Sequence, residues 1–270
     1  MPLTVNRIDQ RFNELRARGQ KGFVAYITAG DPDLGTTRRL ARAFERAGVD
    51  VLELGVPFSD PLADGVVNQL AAERALKSGT TLPKILDTVR ELRADGCRMP
   101  IVLFTYFNPV HRYGGERFVP DAVAAGVDGL LALDLPAEET GPWRKLLESS
   151  SLHQIHLIAP TTTGTRIAAI AKQAGGFIYY VSREGVTGMQ QRLATNIAGM
   201  TAKIHKHTRM PVAVGFGVST PEQARAVAQH AEAVVVGSAI VDRIARLGSA
   251  PDMAEQAAAF VKTLVDAVKS

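Results

Sequence analysis

The stretch VLELGVPFSDPLADG, Val51 to Gly65, sets one acid inside an apolar run and two more in the turn that follows. Short apolar runs bounded by turn residues read as buried parallel strands. Val51 to Val56 is therefore expected to be a strand with Glu53 pointing into a core. A carboxylate taken out of water costs several kcal/mol unless it is paired, hydrogen-bonded or protonated, and burial raises its pKa toward the range useful for proton transfer. Pro57, Asp60, Pro61, Asp64 and Gly65 are turn formers that end the strand and open a loop. Two readings stand at this point. Either Glu53 is a core carboxylate matched by a buried Arg or Lys, with Asp60 and Asp64 capping turns, or it is an acid–base group that the loop brings near a second acid.

Outward from this segment, apolar strand candidates alternate with helix-period segments along the whole chain. Strands are expected near Phe23 to Thr28, Val51 to Val56, Ile101 to Tyr106, Gly129 to Leu133, Ile155 to Ile158, Phe177 to Val181, Val212 to Val214 and Val234 to Val236. Helical periodicity marks Thr36 to Ala47, Leu82 to Asp95, Glu138 to Ser149, Arg166 to Gln173 and Pro221 to His230. Repeated strand–helix units call for a parallel sheet, and eight of them favour an α/β fold closed into a single (β/α)8 TIM barrel over a doubly wound open sheet. An extra N-terminal helix, Val5 to Arg18, carries Ile8, Phe12 and Leu15 at helical spacing and is placed to cover the barrel floor. No composition break divides the chain, so residues 1–270 are expected to form one barrel domain.

The composition narrows the function. The 31 basic and 27 acidic residues are scattered, without the dense basic block or basic–aromatic interleaving of a nucleic-acid binder. One cysteine, Cys97, rules out an intrachain disulfide or a cysteine metal cluster. The histidines form no HExxH pattern, and no Gly-x-Ser-x-Gly turn supplies a nucleophile, so neither a metal site nor covalent catalysis is expected. The opening Met1-Pro2-Leu3-Thr4 is unlike a signal peptide and no apolar run is long enough to cross a bilayer, which leaves the cytoplasm as the expected location.

In a barrel the polar residues at the carboxyl ends of the strands face the active-site mouth. Asp31, Glu53 with its acidic loop, Tyr106, Asn108, Asp134 and Tyr179 fall there. After Tyr179 comes Ser182-Arg183-Glu184-Gly185-Val186-Thr187-Gly188, a polar loop able to close over a ligand. After the seventh strand stands Gly215-Phe216-Gly217, and after the eighth Gly237-Ser238 opens the helix Ala239 to Arg246. Glycines let backbone N–H groups approach an anion, and a helix amino terminus adds unpaired donors and a favourable dipole. Each pair alone is also what a tight turn requires; both in adjacent loops point to a phosphate site. Neither a Walker loop nor a dinucleotide fingerprint is present. Tyr26, Tyr106 and Tyr179, near strand ends, are candidates to line an aromatic pocket.

Taken in order, TAGDPD at Thr28 to Asp33, ELGVPFSDPLADG at Glu53 to Gly65, TYFNPV at Thr105 to Val110, SREGVTG at Ser182 to Gly188, GFGVSTPEQ at Gly215 to Gln223 and VGSAIV at Val236 to Val241 make the chain resemble the tryptophan synthase α subunits over nearly its whole length. The resemblance implies a lyase that cleaves indole-3-glycerol phosphate to indole and glyceraldehyde 3-phosphate in L-tryptophan biosynthesis. It further implies a β subunit as partner in an α2β2 heterotetramer, no cofactor in this chain, and pyridoxal phosphate on the β partner. By the family's pattern Glu53 is the general acid/base and Asp64 accepts the indole N–H. Tyr179 stands beside Glu53 at the glycerol moiety, and Thr187 meets the acidic loop. Gly188, Gly217, Gly237 and Ser238 form the phosphate cradle, Tyr26, Leu131 and Phe216 the indole pocket, and Pro57, Asp60 and Asn108 the partner interface. Two other readings stay open: a different phosphate-binding barrel acting on a sugar phosphate, and a non-catalytic activating partner. The chain departs from the pattern after Gly65, where Val66 and Val67, followed by Asn68 and Gln69, stand in place of an expected Pro and small polar residue, and Glu184 adds charge to the polar loop.

Overall fold

The computed structural model describes residues 6–182, 190–215 and 217–270. Its strands are β1 (Gly22–Thr28), β2 (Val51–Gly55), β3 (Ile101–Thr105), β4 (Gly129–Ala132), β5 (His153–Gln154), β6 (His156–Ile158), β7 (Ile178–Val181), β8 (Val212–Gly215) and β9 (Ala233–Val236). Its α-helices are α1 (Arg7–Ala17), α2 (Leu34–Ala47), α3 (Val66–Lys77), α4 (Leu82–Ala94), α5 (Phe107–Tyr113), α6 (Gly115–Ala125), α7 (Gly141–Glu148), α8 (Gly164–Ala171), α9 (Gln190–His205), α10 (Pro221–Ala228), α11 (Ser238–Leu247) and α12 (Met253–Lys269).

All strand pairs are parallel, in the order β5-β4-β3-β2-β1-β9-β8-β7-β6. The two ends of that order are one stretch of chain. The fifth strand, expected at Ile155 to Ile158, starts two residues earlier and is divided at Ile155: His153–Gln154 pairs with β4, His156–Ile158 pairs with β7, and between them the Ile155 N–H donates to Leu130 O at 2.9 Å. The switch of partner within one strand closes the ring, and the (β/α)8 barrel follows with β5 and β6 counted together. β8 and β9 are then the seventh and eighth barrel strands.

Strand alternation sorts the apolar residues into two layers. Val24, Val51, Val102, Leu131, Ile155, Phe177, Ala213 and Val235 fill the interior, while Phe23, Ala25, Ile27, Leu52, Leu54, Ile101 and Leu103 face the helices. The N-terminal helix lies where its periodicity places it. Asn6 caps α1 by accepting from the Ile8 N–H at 2.8 Å, and Ile8, Phe12 and Leu15 close the interior cluster from below, with Phe12 packed on Phe177 at 5.8 Å. Other ends follow local chemistry: Asp33 caps α2, Gly48 ends it at φ +92°, and Thr220 with Gln223 forms a capping box on α10. The helix expected over Glu138 to Ser149 is shorter: Ala137–Glu139 is a 3-10 turn, and α7 starts at Gly141. Among the described residues no helix is long and apolar enough to cross a membrane.

Candidate active site

Glu53 sits in β2 with Tyr26 of β1 on one side and Val102 of β3 on the other, all three in register and directed inward. It is 0% exposed, and among the described residues neither carboxylate oxygen has a hydrogen-bond partner. The alternative of a core carboxylate matched by Arg or Lys requires a cation beside it; among the described residues no such partner reaches it. Desolvation pushes its pKa up to about 8. At neutral pH the carboxyl is therefore mostly protonated while still able to ionise, as a general acid that turns base requires.

Two tyrosines border it. Tyr26 and Tyr179 are both buried, and burial raises both phenols well above their ordinary range, with the Glu53 charge adding to the rise. Both rings lean over glycines. A Cβ at Gly55 would stand 2.2 Å from the Tyr26 hydroxyl, and one at Gly215 would stand 2.6 Å from that of Tyr179. These glycines make room for the phenols, a role that alternation alone does not disclose. Tyr26 also meets Phe104 edge-on at 5.0 Å, and Leu131, opposite Phe104 in β4, is fully buried in the barrel interior.

The acidic loop folds back over this mouth. The Tyr106 hydroxyl donates to Asp64 Oδ2 at 3.0 Å and accepts from the Ala63 N–H at 2.8 Å. Tyr106 itself packs on Phe58 at 5.2 Å. Desolvation raises the Asp64 pKa, while the hydrogen bond from Tyr106 pulls it back down. Tyr26, Phe104, Tyr106, Asp64 and Asn68 line one small cavity between loop and barrel. Asn68 has no role in the sequence reading; its signal was its place one helical turn after Asp64.

The phosphate candidates lie in neighbouring loops, since Gly215 and Val235 are partners in the β8–β9 ladder. Gly217 has φ +67°, a conformation that favours glycine. Gly237 precedes α11 with no side-chain cap, which leaves the Ser238 and Ala239 amides at the helix start open to an anion, while the Ile240 N–H is bonded to Gly237 O at 2.8 Å. Thr187, Gly188 and Phe216, with Arg183 and Glu184, lie outside the described residues.

Of the interface candidates, Pro57 is buried at the end of β2, while Asp60 and Asn108 are exposed. The Asp60 carboxylate accepts from the Ser59 hydroxyl, a local turn contact. Asp134 accepts the Phe107 N–H at the start of α5 at 2.6 Å. Leu62 and, on α3, Val66 and Leu70 are exposed at 92%, 69% and 49%. Among the described residues no group of three or more His, Cys, Asp or Glu is placed to hold a metal ion.

The tryptophan synthase alpha chain family model matches residues 12–269. A tryptophan synthase alpha chain from Citrifermentans bemidjiense is 49% identical over 98% of each chain, and one from Geobacter sulfurreducens is 48% identical over 98% of this chain and 99% of its own. Among solved structures, tryptophan synthase subunit alpha from Legionella pneumophila superposes with a TM-score of 0.91 at 36% identity, covering 98% of this chain and 99% of its own. A chain of tryptophan synthase from M. tuberculosis, in its aminoacrylate-bound form, gives 0.87 at 31% identity over 98% and 100%. The chain belongs to the tryptophan synthase alpha chain family, whose members are carbon–carbon lyases.

Proposed function

We propose that Glu53 and Asp64 carry out the family's α reaction, the retro-aldol cleavage of indole-3-glycerol phosphate to indole and glyceraldehyde 3-phosphate. The observation that carries the assignment is the fully buried Glu53 carboxyl, with both oxygens unpaired among the described residues, at the barrel mouth. Protonated Glu53 gives its proton to indole C3, and positive charge develops on the ring nitrogen. Asp64 accepts the ring N–H and stabilises that charge. The Glu53 carboxylate then takes the proton of the hydroxyl on the carbon joined to the ring. The carbon–carbon bond breaks, its electron pair restores the indole ring, and the aldehyde forms. Glu53 ends as it began. The environments separate the two acids: Glu53 is wholly desolvated, whereas Asp64 is partly exposed and hydrogen-bonded.

Tyr26, Tyr106, Phe104 and Leu131 hold the indole, Tyr179 lies at the glycerol, and Gly217, Gly237 and Ser238 take the phosphate, with Thr187, Gly188 and Phe216 completing the site. Each proton in this scheme moves between substrate and the chain's own carboxylates. We place the chain, residues 1–270, as one barrel domain in a cytoplasmic α2β2 heterotetramer whose β subunit carries pyridoxal phosphate and consumes the indole. Pro57, Asp60 and Asn108 belong to the docking face, and the exposed apolar Leu62, Val66 and Leu70 beside them extend it.

The test is indole release from indole-3-glycerol phosphate by the purified chain, with and without a tryptophan synthase β subunit, using Glu53→Gln as control. Slow cleavage that the partner accelerates and the variant loses is expected. No indole under either condition returns the chain to the other barrel reactions or to a non-catalytic partner role.

A further inference from the structure

We propose that the Asp31–Arg74 ion pair is a positioning device for the cleavage reaction, fixing α3 along its axis so that Asp64, at the head of that helix, stands where it meets the ring nitrogen; the inference rests on the assignment of Asp64 above. The acidic loop runs directly into α3, and the two are bonded as one piece. The Gln69 N–H donates to Gly65 O at 3.0 Å, and the Gln69 side-chain amide donates to Asp64 O at 2.9 Å. Where α3 sits therefore decides where Asp64 sits. The helix has little apolar grip. It buries Ala71, Ala72 and Ala75, while Val66, Leu70 and Leu76 are exposed. The next helix, α4, buries Leu82, Ile85, Leu86, Val89 and Leu92. Hydrophobic holding scales with the apolar area removed from water, and a face of alanine methyl groups resists sliding poorly.

The hold on α3 is polar instead. Arg74 lies on the same helix face as Ala71 and Ala75, and its guanidinium grips Asp31 at two points, Nε to Oδ1 at 2.7 Å and Nη2 to Oδ2 at 2.8 Å. Asp31 is 4% exposed and follows β1 in a loop that is itself fixed: the Gly30 N–H donates to the Thr37 hydroxyl of α2 at 2.9 Å, and Asp33 caps the same helix. At the far end of α3 the Ser78 hydroxyl donates to Gly30 O at 3.0 Å, and a Cβ on Gly30 would stand 1.8 Å from Thr80 Oγ1. A guanidinium fork on a carboxylate sets both distance and angle, which a point charge does not. The need for that precision lies at the other end of the helix, where Tyr106 reaches Asp64 at 3.0 Å, a bond that a slide of about 1 Å would break. A pair that served stability alone could be exchanged for any matched side chains without cost to the chemistry; one that places Asp64 could not.

The experiment measures kcat and KM for indole release in the presence of the β subunit for the wild type, Asp31→Asn, Arg74→Lys and the double variant Asp31→Asn/Arg74→Gln, with Asp64→Asn as control. Amide hydrogen exchange over residues 60–70 is followed alongside. Asp31→Asn leaves Arg74, which is more than a third exposed, free to turn to water, so the fold survives it. Asp31→Asn and the double variant should lower kcat by the same factor, on the order of 10²-fold, because each releases the same clamp. Arg74→Lys keeps the charge, loses the fork and should fall between them and the wild type. KM should change far less, since the proposed phosphate site lies on other loops. Exchange should quicken over residues 60–70 while β1 and β3 keep their protection. A kcat that stays at the wild-type value in Asp31→Asn and the double variant overturns the inference, as does exchange that quickens equally in β1 and β3, the mark of a general loss of stability. The control separates the two failures. If Asp64→Asn loses activity while kcat holds in the pair variants, this inference falls alone; if Asp64→Asn cleaves as well as the wild type, the Asp64 assignment falls and takes this inference with it.

Discussion

At the floor of the barrel Asp128 is 3% exposed and meets Arg7 at 2.9 Å, Arg93 at 2.8 Å and the Ile101 N–H at 2.8 Å. Toward the mouth Glu53 is 0% exposed and has no hydrogen-bond partner among the described residues. Asp50 repeats the floor pattern, with Lys269 at 3.0 Å and the Phe23 N–H at 2.8 Å; burial still raises its pKa, against the pull of Lys269. Asp64 repeats the mouth pattern more mildly, raised by burial and, among the described residues, held by the neutral Tyr106 hydroxyl. Both ends bury carboxylates, and at the mouth Asp31 is paired with Arg74 at 2.7 Å; Asp128 and Asp50 at the floor each have a cation and a backbone donor, whereas among the described residues no cation pairs with Glu53 or Asp64. Such pairing ties α1, α4 and α12 to the strand starts and serves stability. Its absence at Glu53 leaves a group whose proton can move.

The contrast is broken most severely at Glu53. Glu53→Gln should lower cleavage by roughly 10⁴-fold, since one group serves as both acid and base. The same change should stabilise the fold. In the wild type the unfolded chain releases this proton near pH 4.5 and the folded chain only near pH 8. Stability is therefore lost as pH rises between those values. The variant should gain roughly 2 to 4 kcal/mol at pH 8 and almost nothing at pH 4. Thermal melts at both pH values check this, and equal shifts at the two would sink the claim.

Asp128→Ala should do the reverse. It strands Arg93 without its carboxylate, at a cost of about 3 to 5 kcal/mol. Below the lowered melting point kcat should stay near that of the wild type, and a large fall in kcat would mean that the two ends are coupled. A third measurement sharpens the contrast within the mouth. The wild-type kcat/KM should be bell-shaped, falling above about pH 8 as Glu53 loses the proton it must deliver and falling at low pH as Asp64 becomes neutral. A basic limb that survives in Glu53→Gln would assign it elsewhere. The smallest effect is expected at the rim. Leu62→Asp puts a charge where a 92% exposed leucine faces the proposed docking side, and should raise the β-subunit concentration needed for half-maximal stimulation about tenfold.

Much of this is legible along the chain, and the limits have physical causes. A run such as Val51–Gly55 has to be buried on both faces, and an acid in its middle has to be desolvated. Glycines before a helix start have to leave its amides open. These are consequences of local spacing, which is why the strand positions, the capping of the floor by α1, and Glu53 all came from reading residues in order. The division of the fifth strand at Ile155 did not, because the partner of each half is decided by where the ring meets itself. The resemblance carried the site assignments further than spacing could, while Asn68, which that reading noted without assigning it a role, becomes informative only when Asp64 and Tyr106 share its cavity.

The sequence by itself determined the alternation of strands and helices, the burial of Glu53 and the turn chemistry of the acidic loop, because each depends on neighbours within a few residues. Only the tertiary structure decided that no cation among the described residues reaches Glu53, that Tyr26 and Tyr179 lean over Gly55 and Gly215, and that Tyr106 reaches across to Asp64. Those facts set the proton affinities on which the proposed chemistry depends. They arise between residues far apart in the chain, whose meeting is fixed by closure of the barrel and not by any local preference.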